Sequence, residues 1–186
     1  PESEAFELPD QWLKRCDVQF HWASNPDWQC FDDFLAALNR KKRKNIQQER
    51  NQVAKAGVTL RCVTGQNAVD EDISAMYAFY CSTQLEKGNH PALTLEFFRY
   101  LNRVMPESVV MFLAEKDGKT IAGAYCLRSD TTLYGRYWGA SENIAGLHFE
   151  TCYYQGIEYC LREGLTCFEP GAQGEHKIAR GFMPVL

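Results

Sequence analysis

"SVVMFLAEKDGKTIAGAYCLRSDTTLYGRYWGAS", residues 108–141, holds three apolar runs separated by two turn signals. Asp117-Gly118 fits a two-residue hairpin, because both central residues of that turn tolerate positive φ. "SDTT" (129–132) supplies the second turn through side chains that bond back to the local backbone. The stretch therefore predicts a three-strand antiparallel meander.

Outward from the meander, the chain alternates between strand and helix periods. "HFETCYYQGIEYCLREG" (148–164) follows it. Phe149, Cys152, Tyr153, Gly156, Ile157, Cys160 and Leu161 recur at helical spacing, and Gly164 is a natural stop. Glu150, Tyr154 and Glu158 line another face of that helix. "TCFEP" (166–170) reads as a short strand halted by Pro170. Before the meander, "DVQFHWA" (17–23) and "VTLRCV" (58–63) read as strands. Residues 31–39, 40–57, 72–86 and 94–104 read as helices. The last has Thr94 as cap and Phe97, Phe98 and Leu101 facing inward. The expected class is a mixed α/β (α+β) fold, with a mostly antiparallel meander flanked by helices.

With 186 residues the chain is expected to form one domain, 1–186, and its ends suggest a piece of a longer protein. Net charge is −4, so general attraction to nucleic acid is not expected. Eight cysteines are present without a CxxC pair. Their scatter through apolar runs predicts reduced, buried thiols in a cytoplasmic protein rather than a disulfide scaffold. The same lack of ligand pairs predicts no metal site. No apolar run reaches membrane-spanning length.

Chemistry concentrates in "CFEPGAQGEHKIARGF" (167–182), which leaves a strand end, where α/β folds commonly bind ligands. Amide formation requires a group that accepts the proton lost by the amine. His176 is the natural base, with Glu175 or Glu169 to orient it. Gly171 and Gly174 would let backbone N–H groups approach an anion. Lys177, Arg180 and Gln173 could bind substrate, the two cations by holding a phosphate or carboxylate. The plain alternative is a solvated turn. "RKKRKNIQQER" (40–50) opens with five consecutive cations and usually marks a solvated helix face; its functional reading is a phosphate grip through Lys42, Arg43 and Lys44. His148 and the strand residues Arg136, Tyr137 and Trp138 could line a cleft. Aromatic residues on a strand are more commonly core, and the same holds for His21 and Trp22. No GxGxxG, Walker or GxSxG pattern occurs.

"VQFHW" (18–22), "KKRKNIQQER" (41–50), "LYGRYWGA" (133–140), "GLHFETCYYQGIEYC" (146–160) and "FEPGAQGEHKIARGF" (168–182) together resemble the bacterial FemAB-like proteins, relatives of the Fem peptidyltransferases in the GNAT acyltransferase superfamily. The resemblance implies an acyl-CoA N-acyltransferase-like fold. It also implies a donor that is either an acyl-CoA or an aminoacyl-tRNA, a peptidoglycan-precursor amine as acceptor, and tRNA as a further partner. One departure concerns the donor. Acetyltransferases of this superfamily bind the CoA pyrophosphate on Arg/Gln-x-x-Gly-x-Gly/Ala at a helix N-terminus. Here "GASENIAGLHFE" (139–150) lacks the basic residue and the paired glycines. A catalyst-free module that recognises peptidoglycan fragments or a phosphorylated ligand is the alternative.

Overall fold

The computed structural model describes residues 18–171 and 174–185. Gln173 and Cys16 therefore lie outside the described residues. Strands are β1 (Gln19–Ala23), β2 (Thr59–Thr64), β3 (Val109–Lys116), β4 (Lys119–Arg128), β5 (Thr132–Ala140), β6 (Cys167–Glu169) and β7 (Met183–Val185). They form one mixed sheet in the order β2-β3-β4-β5-β6-β1-β7. Every described pairing is antiparallel except β5 with β6. Helices are α1 (Phe31–Ala37), α2 (Arg40–Lys55), α3 (Asp70–Glu86), α4 (Leu95–Val104) and α5, spanning 147–163. A 3-10 helix, Glu175–Arg180, follows β6.

The meander is where the sequence pattern places it. Asp117 and Gly118 both have positive φ, 51° and 73°, as the predicted hairpin turn requires. The apolar run of β3 divides between two cores. Val110 and Phe112 face Phe34, Ile157 and Phe168, beneath α1 and α5. Val109, Met111 and Leu113 face Met76, Phe79 and Phe98, beneath α3 and α4. Period-2 alternation with both faces covered explains the unbroken apolar run. Burying each such large side chain contributes about 1.5–3 kcal/mol relative to exposure.

Helix signals hold with adjustments. Thr94 caps α4 by accepting the Phe97 N–H at 3.3 Å. Phe98 is buried as expected, but Phe97 points outward at 39% exposure. A single helix stripe reaches one core, and Phe98 occupies it. Among the described residues no cysteine is paired. Cys126 and Cys160 are buried, whereas Cys30 is exposed, contrary to the expectation of generally buried thiols. No described helix is long and apolar enough to cross a membrane.

Two features had no counterpart in the sequence reading. The residues after Pro170 form the 3-10 helix and then β7, which pairs with β1 through His21↔Met183 and Phe20↔Pro184. Helix α5 is α-helical at Leu147–Phe149, widens to a π turn over Glu150–Tyr154, and returns to α geometry at Gln155–Glu163. Gly164 closes it in the left-handed conformation, φ 70°.

Candidate active site

The site begins where two parallel strands part. β5 and β6 pair only at Thr132↔Cys167, Leu133↔Phe168 and Tyr134↔Glu169. Pro170 then ends β6, while β5 runs on to Ala140. Within that free stretch, Tyr125 pairs with Tyr137 and Cys126 with Gly135, so Arg136 is the extra residue of a bulge. Bulges re-aim side chains, and this one leaves Arg136 exposed over the Tyr134 ring at 5.1 Å.

A cavity of about 270 Å³ opens at this fork. Its floor is β5, from Gly135 to Trp138, together with Tyr125 and Cys126 of β4. The start of α5 contributes His148, Cys152 and Tyr153, and the 3-10 helix contributes His176 and Lys177. The C-terminal half of α3 closes one side with Tyr80 and Thr83, and Lys87 follows at its C-cap. Thr83 fixes that helix to the strand by donating its hydroxyl to the Trp138 carbonyl at 2.7 Å.

His176 is held from two directions. Its Nε2 lies 2.9 Å from the Tyr153 hydroxyl. Burial raises the Tyr153 pKa, so the phenol stays protonated. In either imidazole tautomer the contact fixes the ring. Gly174, at φ 113°, leaves room for it, since a Cβ there would stand 2.2 Å from the imidazole Cε1. Desolvation, then Arg180 and Lys177, lower the His176 pKa. The ring is consequently neutral at pH 7 and able to accept a proton. His148 packs against Trp138 at 5.1 Å and Tyr153 at 5.4 Å. Burial first, then the neighbouring positive groups, push its pKa down to about 4.

A second polar network stands behind this wall. Arg180, 8% exposed, donates to both Glu49 carboxylate oxygens, to the Tyr154 hydroxyl at 3.1 Å and to the His176 carbonyl at 2.8 Å. Its guanidinium also lies 3.3 Å from the Phe149 ring centroid. Tyr154 in turn donates to Glu49. Beside it, Arg50 forks onto Glu150 at 3.0 and 3.1 Å and reaches Glu158 at 2.6 Å.

The comparisons with known proteins bear on this geometry. Residues 2–186 match the FemAB-like family, described by peptidoglycan biosynthesis/recognition. The chain belongs to the FemAB-like family. FemX shares its fold at TM-score 0.67 and 12% identity, over 95% of this chain and 61% of that one. L-PGS from Bacillus licheniformis aligns at TM-score 0.59 and 12% identity, over 91% and 57%. A C-terminal domain named for a lysylphosphatidylglycerol synthetase of Agrobacterium fabrum aligns at TM-score 0.57 and 17% identity, over 88% and 49%. This FemAB-like chain thus spans about half to three-fifths of the length of those structures. A search of curated proteins finds no match.

Of the residues singled out from sequence, Arg136, Tyr137, Trp138, His148, His176 and Lys177 line one cavity. Others lie elsewhere. Glu175 is exposed at the start of the 3-10 helix. Glu169 faces His21 at 3.7 Å, so the His176 ring is oriented by Tyr153 instead of a carboxylate. Lys177, expected as an anion grip, is only 2% exposed and donates to the Gly171 carbonyl at 2.5 Å. Burial lowers its pKa. Arg180 is held by Glu49, the Tyr154 hydroxyl and the His176 carbonyl. Lys42 donates to the Ile178 carbonyl at 2.7 Å, and Arg43 caps α1 through the Leu35 and Ala36 carbonyls. Lys44 is exposed, and none of these three lines the cavity. Gly146, which opens α5, packs against α2 so closely that a Cβ would meet the Glu49 carbonyl at 2.7 Å. The helix end that could have held a pyrophosphate is therefore crowded by α2.

Sequence reasoning missed Tyr153 and Glu49. Tyr153 stood in an apolar stripe, where its ring belongs; the signal was a hydroxyl needing a buried partner. Glu49 was the acid inside the basic segment "KKRKNIQQER", read there as part of a solvated face.

Proposed function

We propose that this FemAB-like chain carries out acyl or aminoacyl transfer, forming an amide on an amine of a peptidoglycan-precursor acceptor. One observation carries the reading. A neutral imidazole, His176, is fixed by Tyr153 at the wall of a cavity opened by diverging strands. The acceptor amine attacks the donor carbonyl carbon, and a C–N bond forms. The donor C–O bond breaks if the donor is an aminoacyl-tRNA ester, or the C–S bond if it is an acyl-CoA thioester. His176 takes the proton that the amine loses and returns it to the leaving alcohol or thiol. Tyr153 positions the ring. Tyr137, Trp138 and His148 shape the cavity wall. Arg136 and Lys87, at its edge, suit carboxylates or phosphates of the substrates. The crowded start of α5 favours the ester donor over CoA.

The test supplies aminoacyl-tRNA or acyl-CoA together with a soluble precursor and detects the amide by mass spectrometry. Product with wild type, and a loss of about 10²–10⁴-fold with His176→Ala, supports the reading. A second reading is recognition without catalysis. It is favoured by the internal partners of Lys177 and Arg180, which leave fewer cations for a donor. Stoichiometric precursor binding with no donor consumed would select it. If the exposed Arg40, Lys41 and Lys44 contact tRNA, affinity falls steeply with added salt.

A further inference from the structure

Away from the cavity, three side chains of different chemistry meet on one face of β1 and β6. The antiparallel register sets Trp22 opposite Phe168 and Ala23 opposite Cys167. His21 therefore lies across from Glu169, and Cys167 sits two residues along β6 on the same face. Phe168, between them, points the other way into the core. One nitrogen of His21, the sulfur of Cys167 and a carboxylate oxygen of Glu169 all lie within 4.8 Å of one another. The imidazole and carboxylate atoms stand 3.7 Å apart. All three residues are half-buried, and none lines the cavity.

We propose that His21, Cys167 and Glu169 form a three-ligand site for zinc or a similar borderline-soft divalent ion. The donor set chooses the class. Thiolate with imidazole and carboxylate suits Zn²⁺, whereas Mg²⁺ and Ca²⁺ take oxygen alone. Tetrahedral zinc with these donors holds ligand atoms about 3.3–3.7 Å apart. The His21–Glu169 separation of 3.7 Å is at the upper end of that range, and the sulfur must close by at most about 1.5 Å, within reach of a rotamer change of half-buried side chains. Thr132 of β5 stands in register beside Cys167 and would be the nearest source of an outer-shell contact. Three protein ligands leave a fourth position to water. The site would clamp the three-residue β6 to β1, just ahead of the Pro170 break. Sequence spacing hid it, because strand pairing brings together residues far apart in the chain.

The test uses chelator-treated protein and zinc chloride, competed against a chromophoric chelator, with cobalt(II) as the spectroscopic replacement. Binding of one equivalent is expected, together with an intense thiolate-to-cobalt charge-transfer band. Cys167→Ser should abolish that band. Cys167→Ser and His21→Ala should each weaken zinc by about tenfold or more. Cys30→Ser, at an exposed thiol elsewhere, should change neither. Absence of saturable binding overturns the site. So does a cobalt complex of wild type lacking the thiolate band, a result that needs no variant to fold. Zinc affinity unchanged in both ligand variants overturns it as well.

Discussion

Helix α5 presents two polar faces that differ in kind. Toward α2 it shows Glu150, Tyr154 and Glu158, each bonded to an arginine or acid: Arg50, Glu49 and Arg180. Toward the strand fork it shows His148 and Tyr153, the latter meeting His176 beside a cavity. The first face has charges and partners in balance. The second keeps neutral titratable groups beside open space. The π turn at Glu150–Tyr154 lies between the α-helical segments and carries residues of both faces. π turns are frequent at functional sites. A dense cluster of charge is therefore not the best marker of a site in this chain: the saturated face is framework, and the sparsely charged face has capacity left for a ligand.

That contrast can be broken most forcefully at Arg180. Arg180→Ala removes one half of a buried ion pair and leaves Glu49 facing Tyr154 alone. A loss of about 3–5 kcal/mol is expected from urea unfolding. A loss below about 1 kcal/mol would mean that the framework face is not framework.

The cavity face can be sharpened by pH. His148 has a folded pKa of about 4 against an unfolded value of about 6.5. Its neutral form is favoured by the fold, so the unfolded chain binds the extra proton first. The associated stability is complete above about pH 6.5 and declines as pH falls toward 4. Between pH 7.5 and 5 the decline is about 2 kcal/mol. His148→Phe should remove that part of the pH dependence, read by urea unfolding at both pH values. An identical pH dependence in the variant would place His148 outside the desolvated wall.

How much of this was legible follows from which forces are local. The meander was readable because hairpin chemistry at Asp117-Gly118 and continuous apolar runs are properties of neighbouring residues. The face Glu150-Tyr154-Glu158 was visible as a stripe, though not its partners. The fork was half legible: Pro170 marked the end of β6, but the parallel pairing with β5 that creates the opening is long-range. Lys177 and Arg180 looked like substrate grips because sequence does not report burial. Their partners appear only on folding: Gly171 when the turn before the 3-10 helix closes over Lys177, and Glu49 when that helix packs on α2. The family resemblance supplied the fold and the order of the segments. It did not supply the pairing of His176 with Tyr153, a contact between residues far apart in the chain.

The smallest expected effect on stability belongs to the residue with the largest expected effect on chemistry. His176→Ala deletes an exposed imidazole, and Tyr153 can turn its hydroxyl to water in the cavity. Urea unfolding and precursor acylation, measured on the same preparation, test the division between the two faces most directly. The account predicts stability within about 1 kcal/mol of wild type, with amide formation reduced by about 10²-fold or more. Unchanged amide formation, or a loss that merely follows a drop in stability, would contradict it.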